Sequence, residues 1–349
     1  MRAAVIEQHS SIEDKKGIVF HEKEMPKATA NQSVIKVKAI GLNHLDTWVR
    51  RGVPGHKFPL PIIPGSDVTG IVESASDELQ KRGITNGARV IVNPSVFCGT
   101  CSFCTSGRDH LCQKWGLIGE TTDGACQEYI LAYDNQVYEL PAKLSFEQGA
   151  CIPINYVTAW QMLIGKAAIK KGETILILAA GSGVSVACIQ IAKLMGLQIF
   201  VTSTSEEKLI RAKNLGAHRF ILSTKEKIRE AVRNLTSKQG VDVVVDHIAG
   251  ENLMESIKCL KKGGRLVSCG ATAGGDVHID WKTIFFKNIA LLGSTYGPSS
   301  DFIEVLNRFD KGELVPLIDS VFSFDEIQKA HEWLMNRKSF GKVVLKMPS

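Results

Sequence analysis

Two patterns of hydrophobic and polar residues follow one another along the chain. From residue 1 to about 150, short strand-like runs such as VIKVKAI, VTGIVES and ARVIVNP are broken by glycine and proline clusters such as VPGHKFPLPIIPG. Short apolar runs bounded by turn residues are typical of an irregular, mostly β structure. We therefore predict a β-rich domain over this first part of the chain.

Beyond residue 170, continuous apolar runs alternate with helical stretches. The runs are TILILAA, QIFVTST, RFILS, VDVVVDH, GRLVSCG and IALLGST. Apolar strands alternating with helices indicate a parallel sheet that is covered on both faces. After GSTYGP the sequence becomes amphipathic again and closes with a strand-like GKVVLKM. The pattern predicts an α/β domain with a doubly wound parallel sheet.

Composition narrows the class of protein. The 349 residues suit two domains, and 44% hydrophobic with 22% charged residues is close to the globular average. The net charge of +6 comes from scattered Lys and Arg, so we expect no nucleic-acid partner. No run approaches the roughly 18 apolar residues of a membrane span, and the first ten residues lack the apolar core of a secretory signal. We therefore expect no membrane association and a cytoplasmic location.

Four of the nine cysteines lie close together in CGTCSFCTSGRDHLC. Four thiolates at the spacing C-x-x-C-x-x-C-x7-C can close a tetrahedral shell around Zn²⁺ with no position left for substrate. Unliganded thiols or an iron–sulfur cluster are the alternatives. The other five cysteines are scattered, as expected for reduced core residues. The predicted ligands of one structural zinc ion are Cys98, Cys101, Cys104 and Cys112.

The run TILILAA leads through GSG into a helical stretch, an arrangement that suits a dinucleotide site. In such a turn, backbone amides and the helix dipole face a pyrophosphate. Two partial matches to G-x-G-x-x-G are possible, one on Gly181 and Gly183 and the other on Ala180, Ser182 and Ser185. Neither match is complete, and a tight turn without a ligand is the alternative. The predicted pyrophosphate contacts are Ser182, Gly183 and Val184.

The end of the second strand favours NADPH over NADH. NAD-binding folds usually carry Asp or Glu there, whereas this chain has VTSTSEEKL. Ser203, Thr204 and Lys208 offer hydroxyls and a positive charge to a 2′-phosphate. The alternative is that Ser205 only caps the next helix. Ligands bind beyond the carboxyl ends of such strands. The residues that follow the last two strands and would meet the nicotinamide are Gly270, Ala271, Thr272, Ser294 and Thr295.

The β-rich first part with its four-cysteine lobe, the stretch ILILAAGSGVSVACIQIAK and the GKVVL ending resemble the medium-chain dehydrogenase/reductase superfamily over essentially the whole chain. The resemblance implies a GroES-like catalytic domain over residues 1–152 and 296–349, with a zinc lobe at 95–115. It also implies a Rossmann NADP-binding domain over 153–295. In this superfamily the cleft between the domains holds cofactor and substrate. Homodimers or homotetramers are usual.

The resemblance also concerns a second, catalytic metal. In the zinc alcohol dehydrogenases of the superfamily this metal is held by a Cys, a His and a later Cys, at positions that here carry Asn43, Ser66 and Ile154. An amide and a hydroxyl are poor Zn²⁺ ligands and an isoleucine is none. We therefore predict one zinc ion per chain and no catalytic zinc. A different site built from Asn43, His44, Asp67 and Glu120 is the alternative.

The segments LNHLDTWVRRG, PGSDVTG and GETTDGACQEY resemble the quinone-oxidoreductase-like branch that includes acryloyl-CoA and crotonyl-CoA reductases. This implies NADPH-dependent reduction of the C=C bond of a short α,β-unsaturated acyl-CoA, acryloyl-CoA first and crotonyl-CoA second. That reaction needs no Lewis acid. By the resemblance, Asn43 and Asp46 would lie beside the nicotinamide ribose, and His44 or Glu120 would relay the proton.

Each of these catalytic assignments has a structural alternative. His44 could be a supporting hydrogen-bonded residue, and Asp46 could pair with Arg50 or Arg51. Trp48 stands where quinone reductases often have Tyr, and the Phe that accompanies Glu120 in crotonyl-CoA-type enzymes is not evident. Quinone or enone reduction, a zinc alcohol dehydrogenase and an NADPH-binding protein without turnover are the alternative functions.

Overall fold

The computed structural model describes residues 1–348 and divides into two compact units. One consists of Met1–Ile154 together with the chain from Pro298 onwards, and the other of Asn155–Gly297. The boundaries expected from the sequence, after residues 152 and 295, lie two residues before the observed ones.

The amino-terminal part of the first unit is mostly short strands, because glycine and proline interrupt its apolar runs. Its strands are β1 Arg2–Val5, β2 Val19–Glu22, β3 Gln32–Leu42, β4 Asp67–Ser74, β5 Arg89–Val92, β6 Ser95–Val96, β7 Gly116–Leu117, β8 Tyr129–Tyr133 and β9 Val137–Glu139. Its helices are α1 His44–Arg51, α2 Asp77–Lys81, α3 Ser102–Thr105, α4 Phe146–Gly149 and α5 Pro153–Trp160, with 3₁₀ turns at Asp109–Leu111 and Asp134–Gln136. Helix α5 crosses the boundary into the second unit.

The second unit alternates strands and helices. After a π-helical turn at Gln161–Lys166, its strands are β10 Thr174–Ile177, β11 Gln198–Ser203, β12 Arg219–Leu222, β13 Val241–Val245, β14 Leu260–Ser268 and β15 Ala290–Gly293. Its helices are α6 Gly183–Leu194, α7 Glu206–Leu215, α8 Ile228–Leu235, α9 Leu253–Lys258 and α10 Trp281–Lys287, with a 3₁₀ turn at Gly250–Asn252.

All neighbouring strands of this sheet are parallel, in the order β12-β11-β10-β13-β14-β15. Side chains on both faces of the central strands are buried, as in Ile175 and Leu176 of β10, which explains the unbroken apolar runs. The strand order reverses between β10 and β13, so these two carboxyl ends form the topological switch point. The predicted doubly wound parallel sheet is confirmed.

The returning chain completes the first unit with α11 Ser299–Asp310, β16 Ile318–Ser323, a 3₁₀ turn at Phe324–Glu326, α12 Ile327–Met335 and β17 Lys342–Lys346. The main sheet of this unit has the order β16-β17-β3-β4-β5-β9, and β8 also pairs with β3. Strand β17 runs antiparallel to β3, with Val343 opposite Leu42 and Val344 opposite Gly41. This register brings the last strand of the chain beside the segment that enters α1. The predicted β-rich first domain is confirmed.

The core of the first unit consists of buried aliphatic side chains from β1, β3, β4, β5, α12 and β17, among them Val5, Ile35 and Val343. Within residues 1–348, no helix combines the length and the apolar character that a membrane crossing requires.

Candidate active site

The four clustered cysteines form a compact sulfur site in the first unit. Their Sγ atoms all lie within 4.8 Å of one another. The Sγ atom of Cys98 lies 3.5 Å from that of Cys112 and 3.8 Å from that of Cys104. Four sulfurs about 2.3 Å from a common centre have separations in this range. The quartet therefore fits a closed tetrahedral metal site with no position open to substrate.

Hydrogen bonds and burial shift the pKa values of the thiols in this site. The backbone amides of Thr100 and Cys101 lower the pKa of Cys98 to about 5, which favours the thiolate that a metal requires. Burial raises the pKa of Cys104 to about 12. Among residues 1–348, this quartet is the one group of three or more His, Cys, Asp or Glu side chains close enough to share an ion.

One set of polar contacts fixes the cysteine lobe to the rest of its unit, and another joins the two ends of the lobe. Asp109, between the third and fourth cysteines, accepts hydrogen bonds from the Ser299 amide at 3.1 Å and hydroxyl at 2.6 Å. The indole nitrogen of Trp115 donates to the Ser95 hydroxyl at 2.8 Å. The lobe thus holds the start of α11, where the chain returns to the first unit.

A buried polar cluster occupies the point where β17 passes the start of α1. The Lys342 ammonium donates to Asn43 Oδ1 at 2.6 Å and forms an ion pair with the Asp67 carboxylate. Asn43 Nδ2 donates to Asp67 Oδ2 at 3.1 Å. Side-chain exposure is 2% for Lys342 and 0% for Asp67. Both polar groups of the Asn43 side chain are therefore hydrogen-bonded to buried charged side chains of the protein.

The close approach of Lys342 depends on Gly41. A Cβ at Gly41 would lie 2.0 Å from the Ala150 carbonyl oxygen and 2.6 Å from Lys342 Cε. Any side chain at this position would displace the lysine or the backbone beside it. Lys342 was missed in the sequence analysis, because the pairing of β17 with β3 is not visible in local patterns.

Asp46 supports the same cluster from the first turn of α1. Its carboxylate accepts the Asn43 amide at 2.7 Å and the Gly65 amide at 2.9 Å. Burial raises the pKa of Asp46 to about 6, although these amides and the Lys342 ammonium oppose the shift. The alternative pairing with Arg50 or Arg51 is not observed, since Arg50 donates to the Ile12 and Asp14 carbonyls and Arg51 to the Thr47 carbonyl.

The three positions that carry catalytic zinc ligands in zinc alcohol dehydrogenases have other partners here. Asn43 contacts Lys342 and Asp67, and the Ser66 hydroxyl donates to the Ile118 carbonyl at 2.8 Å. The Ile154 amide donates to Asp67 Oδ1 at 2.8 Å. The Asn43 and Ser66 side chains are therefore hydrogen-bonded to other protein groups, and Ile154 contributes its backbone amide.

The segment around Glu120 packs against the segment that carries Ser66. The Gly124 amide donates to the Ile63 carbonyl at 2.7 Å. The Glu120 side chain is 16% exposed and its carboxylate lies 3.9 Å from His56 Nε2. Burial raises the pKa of Glu120, and the nearby His56 opposes the shift. A carboxyl group that holds its proton more tightly than usual suits a proton donor.

His44 is the first residue of α1, and its backbone carbonyl accepts the Thr47 hydroxyl at 2.7 Å. Its ring is partly exposed. Both proton-relay candidates therefore lie in the first unit.

In the second unit, Ser182 caps α6 at the carboxyl end of β10. Its hydroxyl accepts the Ser185 amide at 3.0 Å, and the Ser185 hydroxyl donates to the Leu178 carbonyl at 2.7 Å. Ala179 has a φ of 50°, the left-handed conformation that favours glycine. The two partial matches to G-x-G-x-x-G that were considered from the sequence begin at Gly181 and Ala180, and neither includes Ala179.

The first turn of α6 fits a dinucleotide phosphate. Gly183 and Val184 occupy helix positions whose amides have no acceptor within a helix. A Cβ at Gly183 would lie 2.2 Å from the Asn155 side-chain nitrogen, so glycine is required for this close packing. Together with the switch point between β10 and β13, these residues have the arrangement expected of a pyrophosphate site.

The other predicted cofactor residues lie at the carboxyl ends of the expected strands. Ser203 ends β11, and its hydroxyl accepts the Ser205 amide at 3.1 Å. Ser205 caps α7 through the Lys208 amide at 3.4 Å, so the capping alternative is also present. Thr204 is exposed and Lys208 is partly buried. The carboxylate of Glu206, the next acidic residue, is paired with Lys225 at 2.6 Å.

The residues predicted to meet the nicotinamide follow β14 and β15. The Gly270 carbonyl accepts the Ser268 hydroxyl at 2.9 Å, whereas Ala271 and Thr272 are exposed. Ser294 directly follows β15, and its buried hydroxyl has no protein partner. Thr295 beside it is exposed. An unpaired buried hydroxyl at this edge of the sheet fits a polar ligand group such as a carboxamide.

Comparison with known proteins places the chain in a family. Residues 29–142 match the alcohol dehydrogenase GroES-like domain, and residues 183–311 match the zinc-binding dehydrogenase family. The chain is 30% identical to the quinone oxidoreductase of Homo sapiens over 322 residues, covering 90% of this chain and 89% of that protein. It is also 30% identical to an NAD-dependent alcohol dehydrogenase of Saccharolobus solfataricus, covering 96% and 98% of the two chains.

Among solved structures, a crystal structure of an NAD-dependent alcohol dehydrogenase superposes with a TM-score of 0.94 at 36% identity over 100% of both chains. The matched families, the two-unit architecture and the parallel sheet agree with the resemblance identified from the motifs. The chain belongs to the medium-chain dehydrogenase/reductase superfamily, in its quinone-oxidoreductase-like branch, and is an oxidoreductase.

Proposed function

We propose that the protein reduces the C=C bond of a short α,β-unsaturated acyl-CoA with NADPH and without a catalytic zinc ion. Acryloyl-CoA is the first candidate substrate and crotonyl-CoA the second. The observation that carries the proposal is the Asn43 side chain, whose two polar groups are committed to Lys342 and Asp67. A residue fixed in this way is a poor replacement for a metal-binding cysteine.

The absence of a Lewis acid would favour one class of hydride acceptor. Alcohol and aldehyde chemistry places negative charge on an oxygen that a metal normally stabilises. In a conjugated thioester, charge that develops on the carbonyl oxygen can be held by hydrogen-bond donors. Asn43, Ser66 and Ile154 are poor metal ligands, and the proposed class of substrate can be reduced without a metal.

The hydride for the β-carbon of the substrate would come from the nicotinamide cofactor when it is bound. The chain must then deliver a proton to the α-carbon. Glu120 is the better of the two donors proposed from the sequence, because its burial raises the pKa of the carboxyl group. His44 is the second candidate. The buried network of Asn43, Asp46 and Asp67 holds the start of α1 and, with it, the His44 backbone.

We propose NADPH as the cofactor because no Asp or Glu ends β11. Ser203 and Thr204 carry hydroxyls, and the Lys208 ammonium lies on the first turn of α7. A 2′-phosphate would gain a cation and hydroxyl donors there and would meet no carboxylate at the strand end. The first turn of α6 would hold the pyrophosphate. The four clustered cysteines would hold one structural Zn²⁺, which completes the lobe and takes no part in the reaction.

A second function has specific support. The human relative is named a quinone oxidoreductase, and quinones or enones require the same hydride transfer without a metal.

The relatives named NAD-dependent alcohol dehydrogenases favour a zinc-dependent alcohol dehydrogenase that uses NADH. A bound second metal would support that alternative.

We also propose that the protein is a homodimer or a larger homo-oligomer. Strand β15 lies at the edge of its sheet, and Trp281 and Phe286 of α10, the helix that precedes β15 in the chain, are 66% and 68% exposed. Exposed aromatic residues beside an open strand edge are typical of an association surface. Light scattering should give at least twice the chain mass, and W281E/F286E should lower it towards that of a single chain. A wild-type mass of 38.1 kDa would refute the proposal.

The nine cysteines, which form no disulfides, support a cytoplasmic location.

The activity is tested by following nicotinamide absorbance when the protein and NADPH meet acryloyl-CoA, crotonyl-CoA, a quinone and an aldehyde in parallel. We expect rapid oxidation with the two acyl-CoAs and slow oxidation with the aldehyde. Turnover of the quinone alone would establish the second function. Turnover of the aldehyde alone, with two metal ions per chain, would establish an alcohol dehydrogenase. Cofactor binding without any turnover would show that the protein is not an enzyme of this class.

A further inference from the structure

One histidine of the second unit contacts both serines of the turn between β10 and α6. His247 lies two residues beyond the end of β13. Its Nε2 atom is 3.1 Å from the Ser182 hydroxyl and 2.8 Å from the Ser185 hydroxyl. The sequence analysis did not identify His247, because 65 residues separate it from Ser182.

The hydrogen bonds of the two serines determine what the histidine can do. The Ser185 hydroxyl donates to the Leu178 carbonyl at 2.7 Å, so its oxygen is left to accept. A His247 ring with its proton on Nε2 donates to this oxygen, whereas a ring with its proton on Nδ1 accepts from the Ser182 hydroxyl, so either tautomer bonds to the serine pair. The Ser182 hydroxyl donates to Ser185 at 2.9 Å and accepts the Ser185 amide. His247 therefore links the end of β13 to the cap of α6.

The chemical state of the ring is compatible with this role. Burial lowers the pKa of His247, and the neighbouring Asp246 opposes the shift. The Asp246 carboxylate is itself occupied by the backbone amides of Ile248 and Ala249, each at 2.9 Å. The ring is therefore neutral at neutral pH and carries a single N–H.

The location of this contact points to the cofactor. Strands β10 and β13 are neighbours at the place where the strand order reverses. In open parallel sheets, ligands bind outside the carboxyl ends of the strands at this place. Ser182 follows β10 and His247 follows β13, so the contact bridges the two sides of the crevice.

We propose that His247 is a positioning residue for the pyrophosphate of the cofactor. It fixes the hydroxyls of Ser182 and Ser185, and the fixed cap orients the first amides of α6 towards the phosphates. The inference rests on the proposed function, because it assumes that a nicotinamide dinucleotide binds here. His247 itself has no part in hydride or proton transfer.

The test compares dissociation constants of His247→Ala, His247→Gln and wild type for NADPH and for adenosine 2′-monophosphate, which lacks the pyrophosphate. Loss of the hydrogen bonds should weaken NADPH binding about 10-fold in His247→Ala. Binding of adenosine 2′-monophosphate should stay within about 2-fold, because the end of β11 is untouched. His247→Gln retains an N–H donor and should restore most of the affinity. In turnover assays the loss in His247→Ala should appear in the KM for NADPH rather than in kcat, because the residue does not contact the reacting atoms.

His218→Ala is the matched control. His218 accepts the Ile199 amide at 3.0 Å near the amino end of β11, away from the switch point. It should leave both dissociation constants at wild-type values. The proposal is overturned if His247→Ala binds NADPH like wild type, or if it weakens both ligands equally, which would indicate general loosening of the unit.

Failure of this inference is distinct from failure of the proposed function. A wild-type protein that binds neither NADPH nor NADH would refute the function. If it binds NADH alone, the same variants are compared with NADH and adenosine. Unchanged NADH affinity in His247→Ala then overturns the role of His247 and leaves the oxidoreductase assignment intact.

Discussion

Replacing Lys342 by methionine should destabilise the first unit strongly. The ammonium is paired with the Asp67 carboxylate, and side-chain exposures are 2% and 0%. Methionine has nearly the same length as lysine and fills most of its volume, so the main change is the loss of charge and of the hydrogen bond to Asn43. Asp67 would keep only the Ile154 amide and the Asn43 amide as donors.

The size of the effect follows from the burial of the pair. Removing one partner of a buried ion pair costs about 3–5 kcal/mol, because the other charge remains in a poorly solvated site. One kcal/mol shifts the Tm of a domain of this size by about 2–4 °C. We therefore expect Lys342→Met to lower the Tm of the first unit by about 10 °C. Lys342→Met should also raise the pKa of Asp46, which Lys342 lowers in the wild type.

The assay is thermal unfolding followed by calorimetry, with two comparison variants. Lys346→Met removes a cation from the same strand, where the lysine side chain is 62% exposed and its ammonium lies 3.0 Å from the Glu147 carboxylate. Exposed pairs contribute about 0–1 kcal/mol, so this control should unfold within about 3 °C of wild type. The double variant Lys342→Met/Asp67→Asn removes the unpaired charge and should recover about half of the loss. A Lys342→Met protein that unfolds at the temperature of the control would refute the reasoning.

Three further predictions concern the other parts of the protein. Because the pKa of Asp46 is raised from 3.8 to about 6, the native state binds this proton more tightly than the unfolded chain. Its contribution to stability is therefore present at low pH and falls by about 3 kcal/mol as the pH rises from about 4 to about 6. Denaturant unfolding at pH 4 and pH 7 should show Asp46→Asn gaining on wild type by this amount, and parallel curves would contradict it. Cys104→Ser should lower bound zinc from one ion per chain to a small fraction by elemental analysis, whereas Cys269→Ser should retain the ion, and equal zinc in both would exclude the lobe as the site. Ser203→Asp should weaken NADPH at least about 10-fold in titrations and leave NADH nearly unchanged, since a carboxylate repels a 2′-phosphate; equal losses would place the 2′-phosphate elsewhere.

Features whose determinants lie close together in the chain could be predicted from the sequence. The four cysteines lie within fifteen residues, so their spacing alone predicted the sulfur cluster that the structure shows. The strands of the second unit were visible because each is a continuous apolar run. The cysteine cluster and these strands can both be predicted from local sequence patterns, without knowledge of the tertiary structure.

The contacts of the candidate site could not be predicted in the same way. Lys342 is 299 residues from Asn43, and only the antiparallel pairing of β17 with β3 brings them together. The contact between His247 and Ser182 likewise depends on strand order. The backbone conformation of Ala179 was missed because a left-handed residue at this turn is expected to be glycine.

The most direct test of the proposed chemistry is the destination of the hydride. NADPH labelled with deuterium at the transferable position of C4 is incubated with acryloyl-CoA, and the product is analysed by NMR. We expect propionyl-CoA with deuterium at the β-carbon and a solvent proton at the α-carbon. An acyl-CoA product without deuterium, or deuterium transferred only to the carbonyl carbon of an aldehyde, would contradict it.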